Sequence, residues 1–233
     1  MALQQLIEQL KEIKNMGFVK THRADDTGIG KTLEDLLGIE ENNLRIPDVG
    51  DIEVKAKRID SNSMLTLATK APKPRGVNRI LFETYKYKNK DGFYNLHSTV
   101  YGSRTNPQSF QIIFKDDKLV LRNRENIEAY WPISIFHDVL ESKSNKILLV
   151  YAETKGKRKT KKEHFHYTEA YLLSDLDIEK FEDAIRSNKL KVDIRIGVYR
   201  SGKRIGKYHD HGTGFRIHKR DFLDIFNNYQ KLI

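Results

Sequence analysis

Residues 47–55 read P-D-V-G-D-I-E-V-K, and the fold turns on how this stretch is understood. Between residues 51 and 57, Ile52, Val54 and Ala56 alternate with Asp51, Glu53, Lys55 and Lys57. That is the two-residue period of a strand with one buried face. Side chains at i and i+2 of a strand point the same way, so Glu53 and Lys55 share a face. Asp48 stands just before the strand, behind a proline that fixes the entry of the chain. The pattern therefore brings two carboxylates and an ammonium to one place. Carboxylate oxygens are usual ligands of Mg²⁺, and a lysine beside the ion can orient or deprotonate a bound water. Asp48 and Glu53 as metal ligands, with Lys55 beside them, suit metal-assisted attack of water on a phosphodiester. The competing reading is a solvated strand face with a surface Glu–Lys pair, and the rest of the chain has to decide between them.

The chain has 233 residues, enough for one large domain or two small lobes with a substantial core. Its net charge of +10 and pI of about 9.5 predict attraction to a polyanion, nucleic acid first. An anionic membrane surface is the competitor. No apolar run reaches the length of a bilayer span, and residues 3–16, read as an amphipathic helix, carry both charge signs on the polar side. The start lacks a signal-peptide pattern. The absence of cysteine excludes disulfides, thiolate metal sites and cysteine catalysis. A soluble cytoplasmic protein without membrane partners is the simplest expectation.

Working outward, Leu3, Ile7, Leu10 and Ile13 recur at helical spacing. Residues 27–37, T-G-I-G-K-T-L-E-D-L-L, read as a glycine loop, a threonine that caps, and a helix ending near Gly38. Residues 64–69 look like a strand and 70–79 like a Pro, Gly and basic loop. Short β-like runs fill residues 80–125. A short helix is expected at 133–140, strands at 146–153 and 164–173 around a basic loop at 155–162, and a helix at 178–185. Strands at 192–199 and 209–217 follow, then a closing helix from Arg220. Mixed elements with a strong β share predict an α/β or α+β fold.

Gly30-Lys31-Thr32 resembles the end of a P-loop, but that motif needs glycine where Asp25 stands, and no hydrophobic strand precedes it. A helix N-terminus that holds a phosphate with the help of Lys31 fits better, against an ordinary helix start. Glu34, one turn in, is either a further acid for the metal cluster or a favourable charge near the positive helix end. His209-Asp210-His211 lacks the third and fourth ligands of a zinc site nearby. Residues 193–216 instead suggest a two-stranded ribbon suited to the major groove. Arg195, Arg200 and Arg216 suit guanine edges, Asp193 or Asp210 suits cytosine N4, and His209 and His211 suit guanine acceptors. Such a mixture fits base readout better than phosphate binding alone. The plain alternative is a solvated hairpin. Tyr85, Tyr87 and Tyr94 suit packing better than base stacking.

With these pieces placed, the chain resembles the MvaI/BcnI family of type II restriction endonucleases. Three blocks carry the likeness: residues 27–37; residues 47–55 with L-T-L-A-T-K-A-P at 65–72; and V-D-I-R-I-G-V-Y-R-S-G-K at 192–203 with H-D-H-G-T-G-F-R-I at 209–217. The resemblance implies a MutH-like PD-(D/E)xK fold with a catalytic lobe mainly over residues 1–100 and a DNA-recognition lobe mainly over 101–233. It implies a Mg²⁺-dependent monomer that nicks each strand of double-stranded DNA in turn. The expected site is CCWGG or a related CCNGG-type sequence, and a cognate methyltransferase would protect the host. On this basis Asp48, Glu53 and Lys55 are the catalytic set, and Asp193, Arg195, His209, Asp210, His211 and Arg216 fall on the base-reading block. Two other possibilities stand beside it. One is a MutH-like strand-nicking mismatch-repair endonuclease, which needs an activator. The other is a non-catalytic DNA-binding module.

Overall fold

Leu6, Leu10 and Ile13 form one buried stripe along helix α1 (Leu3–Asn15), and the polar remainder of the helix faces outward. The computed structural model to which this helix belongs describes residues 3–39, 49–139 and 146–233. From α1 the chain runs through β1 (Val19–Lys20), α2 (Gly28–Leu36) and β2 (Glu53–Arg58). A second unit begins with β3 (Leu65–Thr69), α3 (Val77–Tyr85), β4 (Tyr87–Lys88) and β5 (Tyr94–Val100). It continues with β6 (Gln111–Lys115), β7 (Lys118–Arg122), β8 (Tyr130–Pro132) and α4 (Ser134–Val139). The chain then returns to the first unit with β9 (Lys146–Lys155) and β10 (His164–Leu176). It re-enters the second with α5 (Ile178–Arg186), β11 (Leu190–Val198), β12 (Tyr208–Asp210) and β13 (Gly214–Ile217), and ends in the first with β14 (Phe226–Lys231).

The two units are therefore interleaved. Met1–Ser63, Leu140–Asp177 and Phe226–Ile233 make the first, and Met64–Val139 with Ile178–Ile225 the second. The division expected near residue 100 is not where the chain changes unit. Each unit closes its sheet with strands distant in sequence, which composition does not mark.

The first unit's sheet runs β1-β10-β9-β2, with β14 also paired to β10. Only β2 and β9 are parallel among its pairs. In β9, residues 147–152 are all buried, the continuous apolar run of a strand covered on both faces. Val54, Leu148, Val150 and Ala152 pack with Ile29 and Leu33 of α2 and with the α1 stripe. Burying these side chains at roughly 25 cal/mol per Å² supplies the main drive for docking both helices on this face. The register Glu53↔Ile147 and Lys55↔Leu149 sends Glu53 and Lys55 to the opposite face.

The second unit has a sheet β3-β13-β11-β5-β4, with β12 also paired to β11, and a three-stranded sheet β6-β7-β8. Val192, Ile194 and Ile196 of β11 are buried. Trp131 and Phe136 pack edge-to-face on Phe215 of β13 at centroid distances of 5.7 and 4.5 Å. The period of two then places Lys191, Asp193 and Arg195 on the other face of β11.

Several local expectations change. The α2 helix starts at Gly28, inside the expected glycine loop. Thr32 does not cap it; its buried hydroxyl donates to Gly28 O at 2.8 Å and accepts from His22 N at 3.0 Å. The 70–79 loop already contains the start of α3, whose Val77, Leu81 and Phe82 supply a buried stripe. The strand expected at 209–217 is two short strands, because Asp210 accepts from Gly212 N at 2.8 Å and turns the chain. Phe222, Ile225 and Phe226 have helical spacing and are buried, but they do so from a 3-10 stretch (Lys219–Asp224) followed by β14.

Candidate active site and nucleic-acid interface

The entry to β2 is a tight turn in which Val49 N donates to Ile52 O at 3.0 Å and Ile52 N to Val49 O at 2.8 Å. Both side chains are buried, so the turn is pinned to the core and delivers Glu53 in a defined register. Lys55 Nζ donates to Glu53 Oε1 at 3.1 Å, the pair that period-two spacing predicts. The Lys55 side chain is 25 % exposed and that of Glu53 18 %. Glu53 Oε2 is buried and has no hydrogen-bond partner among the described residues. An unsatisfied carboxylate oxygen is expensive to bury, and a cation or a bound water relieves that cost. Glu53 therefore fits a metal ligand. Asp48 lies outside the described residues. Among the described residues, no three His, Asp or Glu side chains gather closely enough to hold a metal by themselves. Asp51 points elsewhere, to an ion pair with Lys146 that holds its carboxyl below the usual range.

Two other expected members of this site have separate surroundings. Lys31 Nζ reaches along its own helix to Asp35 Oδ1 at 2.7 Å, and Asp35 Oδ2 also meets His22 Nδ1 at 2.8 Å. Glu34 rides on α2, which packs on the side of the sheet that Val54 faces. There its charge bears on Tyr167, whose hydroxyl is pushed up first by burial and donates to Ile29 O at 2.8 Å.

The second unit gathers its polar residues on one sheet face. Asp193 pairs with Thr99, Arg195 with His97, and Lys191 with Arg216 across the strands. A cavity of about 440 Å³ is lined by His97, Thr99, Asp193, Arg195, His211 and Arg216 among others. Asp193, expected to read a base, has both oxygens engaged: Oδ1 accepts from Thr99 Oγ1 at 2.7 Å and Oδ2 from Arg216 Nη1 at 2.6 Å. Arg216 Nη2 also donates to Met64 O at 3.3 Å. Arg195 is held by Gly212 O at 3.0 Å and His211 O at 3.3 Å. It lies against Gly214, where an added Cβ would come within 3.2 Å of Cζ, so glycine lets the guanidinium lie flat on the strand.

Asp210 is likewise engaged, by Asn78 Nδ2 at 2.7 Å and by Gly212 N. It sets the turn that carries His209 and His211. Those two rings lie 4.0 Å apart, and His209 stacks on Tyr199 at 4.2 Å, with Arg204 also 4.2 Å from the Tyr199 ring. Arg200 is exposed at the end of β11. His97 was missed by sequence reasoning. Its only signal is alternation in Y-N-L-H-S-T-V, which gives a strand but not its neighbour Arg195. Partial burial lowers the His97 pKa, with Arg200 and Arg195 adding to the effect. Partial burial also lowers that of His211, helped by His209, His97 and Arg195. Tyr85 has a packing role, edge-on to Phe110 at 4.7 Å with its hydroxyl donating to Asn123 Oδ1.

No helix among the described residues is long and apolar enough to cross a membrane. A comparison with curated proteins gives no match. Over its full length the chain is 36 % identical to a solved structure described as restriction endonuclease MvaI in complex with cognate DNA substrate, with 100 % of that chain covered and a TM-score of 0.88. A structure of restriction endonuclease MvaI in the absence of DNA matches at 36 % identity, covering 100 % of this chain and 99 % of that one, with a TM-score of 0.53. The family model for MvaI/BcnI restriction endonucleases matches residues 7–226. A mixed α/β chain with this match over nearly its whole length belongs to the MvaI/BcnI restriction endonuclease family, and is a type II site-specific deoxyribonuclease.

Proposed function

We propose that this enzyme hydrolyses double-stranded DNA with Mg²⁺ at CCWGG or a related CCNGG-type sequence. It acts as a monomer that nicks one strand and then the other, leaving 5′-phosphate and 3′-hydroxyl ends. The observation that carries the chemistry is Glu53, with one carboxylate oxygen on Lys55 and the other buried without a protein donor among the described residues. The family is generally dependent on a divalent metal. Glu53, and Asp48 by its place in the motif, would hold the ion, while Glu34, on the Val54 side of the sheet, would act on it only through the field of α2. When bound, the metal supplies Lewis-acid activation of water and of the scissile phosphate. Lys55, fixed by its contact with Glu53, orients the attacking water and steadies charge building on the phosphate.

In the second unit, Arg195, Arg216, His209 and His211 read base edges from the polar sheet face, with Arg200 at its border. Asp193 and Asp210 hold those donors in place and keep spare acceptor capacity toward cytosine. Lys31 supports the backbone near α2. The enzyme works in the cytoplasm beside a methyltransferase that protects the host's own sites.

The test is digestion of supercoiled plasmid with Mg²⁺ by the native protein and by Lys55→Ala, followed by sequencing of every new end. Discrete ends within CCNGG-type sites, preceded by nicked circles and absent with the variant, are expected. Cuts at another motif overturn the assigned sequence. Linear product without a nicked intermediate at limiting enzyme overturns the sequential mechanism.

A further inference from the structure

Residues 155–162 of the first unit read K-G-K-R-K-T-K-K, six cations in eight positions. A block of one sign normally repels itself and stays extended. Here it is closed into a tight loop between β9 and β10. At Gly156, φ is +91° and an added Cβ would lie 2.2 Å from Lys162 O, so glycine alone permits the closure. The loop is pinned at its base by Glu163, which is 1 % exposed. That carboxylate accepts from Arg58 Nε at 2.8 Å and Arg58 Nη2 at 3.0 Å, and from Lys159 N at 2.9 Å. Lys161 Nζ donates to His22 O at 2.7 Å, and Thr21 N donates to Glu163 O at 2.9 Å. Two of the cations meet exposed acids, Arg158 with Asp60 and Lys159 with Asp26. Lys155, Lys157 and Lys162 are exposed and have no carboxylate partner among the described residues. A solvated charge run needs no buried anchor; a preorganised cluster of cations suits a polyanion.

Its position is set by the sheet. Lys55 pairs with Leu149, and β9 continues unbroken from there to Lys155. Six residues at about 3.3 Å each put the loop about 20 Å from Lys55 along the strand. On duplex DNA that span is about six base pairs, longer than a five-base-pair site. We infer that residues 155–162 form a preformed phosphate-binding loop that grips the DNA backbone outside the recognition sequence, an inference that rests on the endonuclease function proposed above.

The experiment compares the native protein with the triple variant Lys155→Gln, Lys157→Gln, Lys162→Gln. Binding is measured without metal, over a range of salt, on duplexes holding the mapped cleavage sequence with about one or about fifteen flanking base pairs on each side. The native protein should bind the long duplex about tenfold more tightly than the short one at low salt. The variant should lose most of that gain, and its plot of log K against log salt on the long duplex should be shallower by about 2–3. Its cleavage ends should keep the native sequence, since phosphates carry no base information. Native and variant proteins with the same flank dependence and the same salt slope overturn the flank contact alone. A native protein that cuts no DNA overturns the endonuclease function, and the flank contact falls with it.

Discussion

Arg216 Nη1 lies 2.6 Å from Asp193 Oδ2, and Thr99 Oγ1 donates to the other oxygen of the same carboxylate at 2.7 Å. The acid is only 9 % exposed at its side chain, and it fixes one guanidinium of the polar sheet face. Asp193→Asn keeps the size and one acceptor but leaves Arg216 without its counter-charge. Urea unfolding should show a loss of about 1–3 kcal/mol, and cleavage at the preferred site should fall more than non-specific DNA binding. A variant with native stability and native site fidelity would mean that Arg216 finds its place without Asp193.

Glu53→Gln should separate catalysis from stability. The amide keeps the side chain's shape and removes a buried charge whose second oxygen lacks a donor. Cleavage should disappear, while metal-free thermal stability should stay level or rise. Adding Mg²⁺ at about a hundred times its dissociation constant should stabilise the native protein by about 2.7 kcal/mol and leave the variant unmoved. Equal stabilisation of both proteins by Mg²⁺ would place the ion elsewhere.

The histidines of the cavity predict an acid-sensitive fold. His97 and His211 both titrate below the ordinary value of 6.5 in the folded protein. The folded state then binds fewer protons than the unfolded state, so their contribution is complete above pH 6.5 and erodes as pH falls toward the lowered folded values. Melting temperatures measured between about pH 7.5 and 5 should drop on the acid side, and a His97→Gln, His211→Gln double variant should drop less. Parallel curves would assign the loss to other groups.

Glu163 makes a second pH-linked contribution at lower pH. Burial pushes its carboxyl up, but Arg58 and the Lys159 amide outweigh burial and hold it below 4.5. The stabilisation is therefore complete above that ordinary value and is lost as pH falls through the lowered folded one. Glu163→Gln leaves Arg58, whose side chain is 11 % exposed, with only a 4.0 Å approach to the exposed Asp26 as a counter-charge, and should cost about 2–4 kcal/mol at neutral pH. Chemical denaturation gives the number; a change under about 0.5 kcal/mol, as for ordinary surface substitutions, would show that Arg58 has another way to be satisfied.

Strand β2 was legible because its alternation is strict, and with it the pairing of Glu53 and Lys55. The strands around Asp193 and Arg195 were legible for the same reason. The engagement of Asp193 by Arg216 was not, because register between β11 and β13 depends on partners that no local pattern names. Neither was His97, which meets Arg195 only through the pairing of β5 with β11. The helix α3 was hidden by the proline and glycine just before it, and β14 by Phe222, Ile225 and Phe226, whose spacing serves a helix as well as a turn and strand. The ion pair of Lys31 with Asp35, one turn further along α2, was not foreseen, because attention to the helix N-terminus looked only toward an anion outside the chain.

The chain passes between its two units four times, after Ser63, Val139, Asp177 and Ile225. A protein laid out in this way cannot trade the unit proposed to read DNA as a cassette. A recombination event with one or two breakpoints would sever a sheet in at least one unit. New target sequences in this lineage should thus arise by exchange of individual side chains on β5, β11 and β13, within a scaffold inherited whole. An engineer would face the same restriction, and libraries confined to those three strands would search the changes that leave both sheets intact.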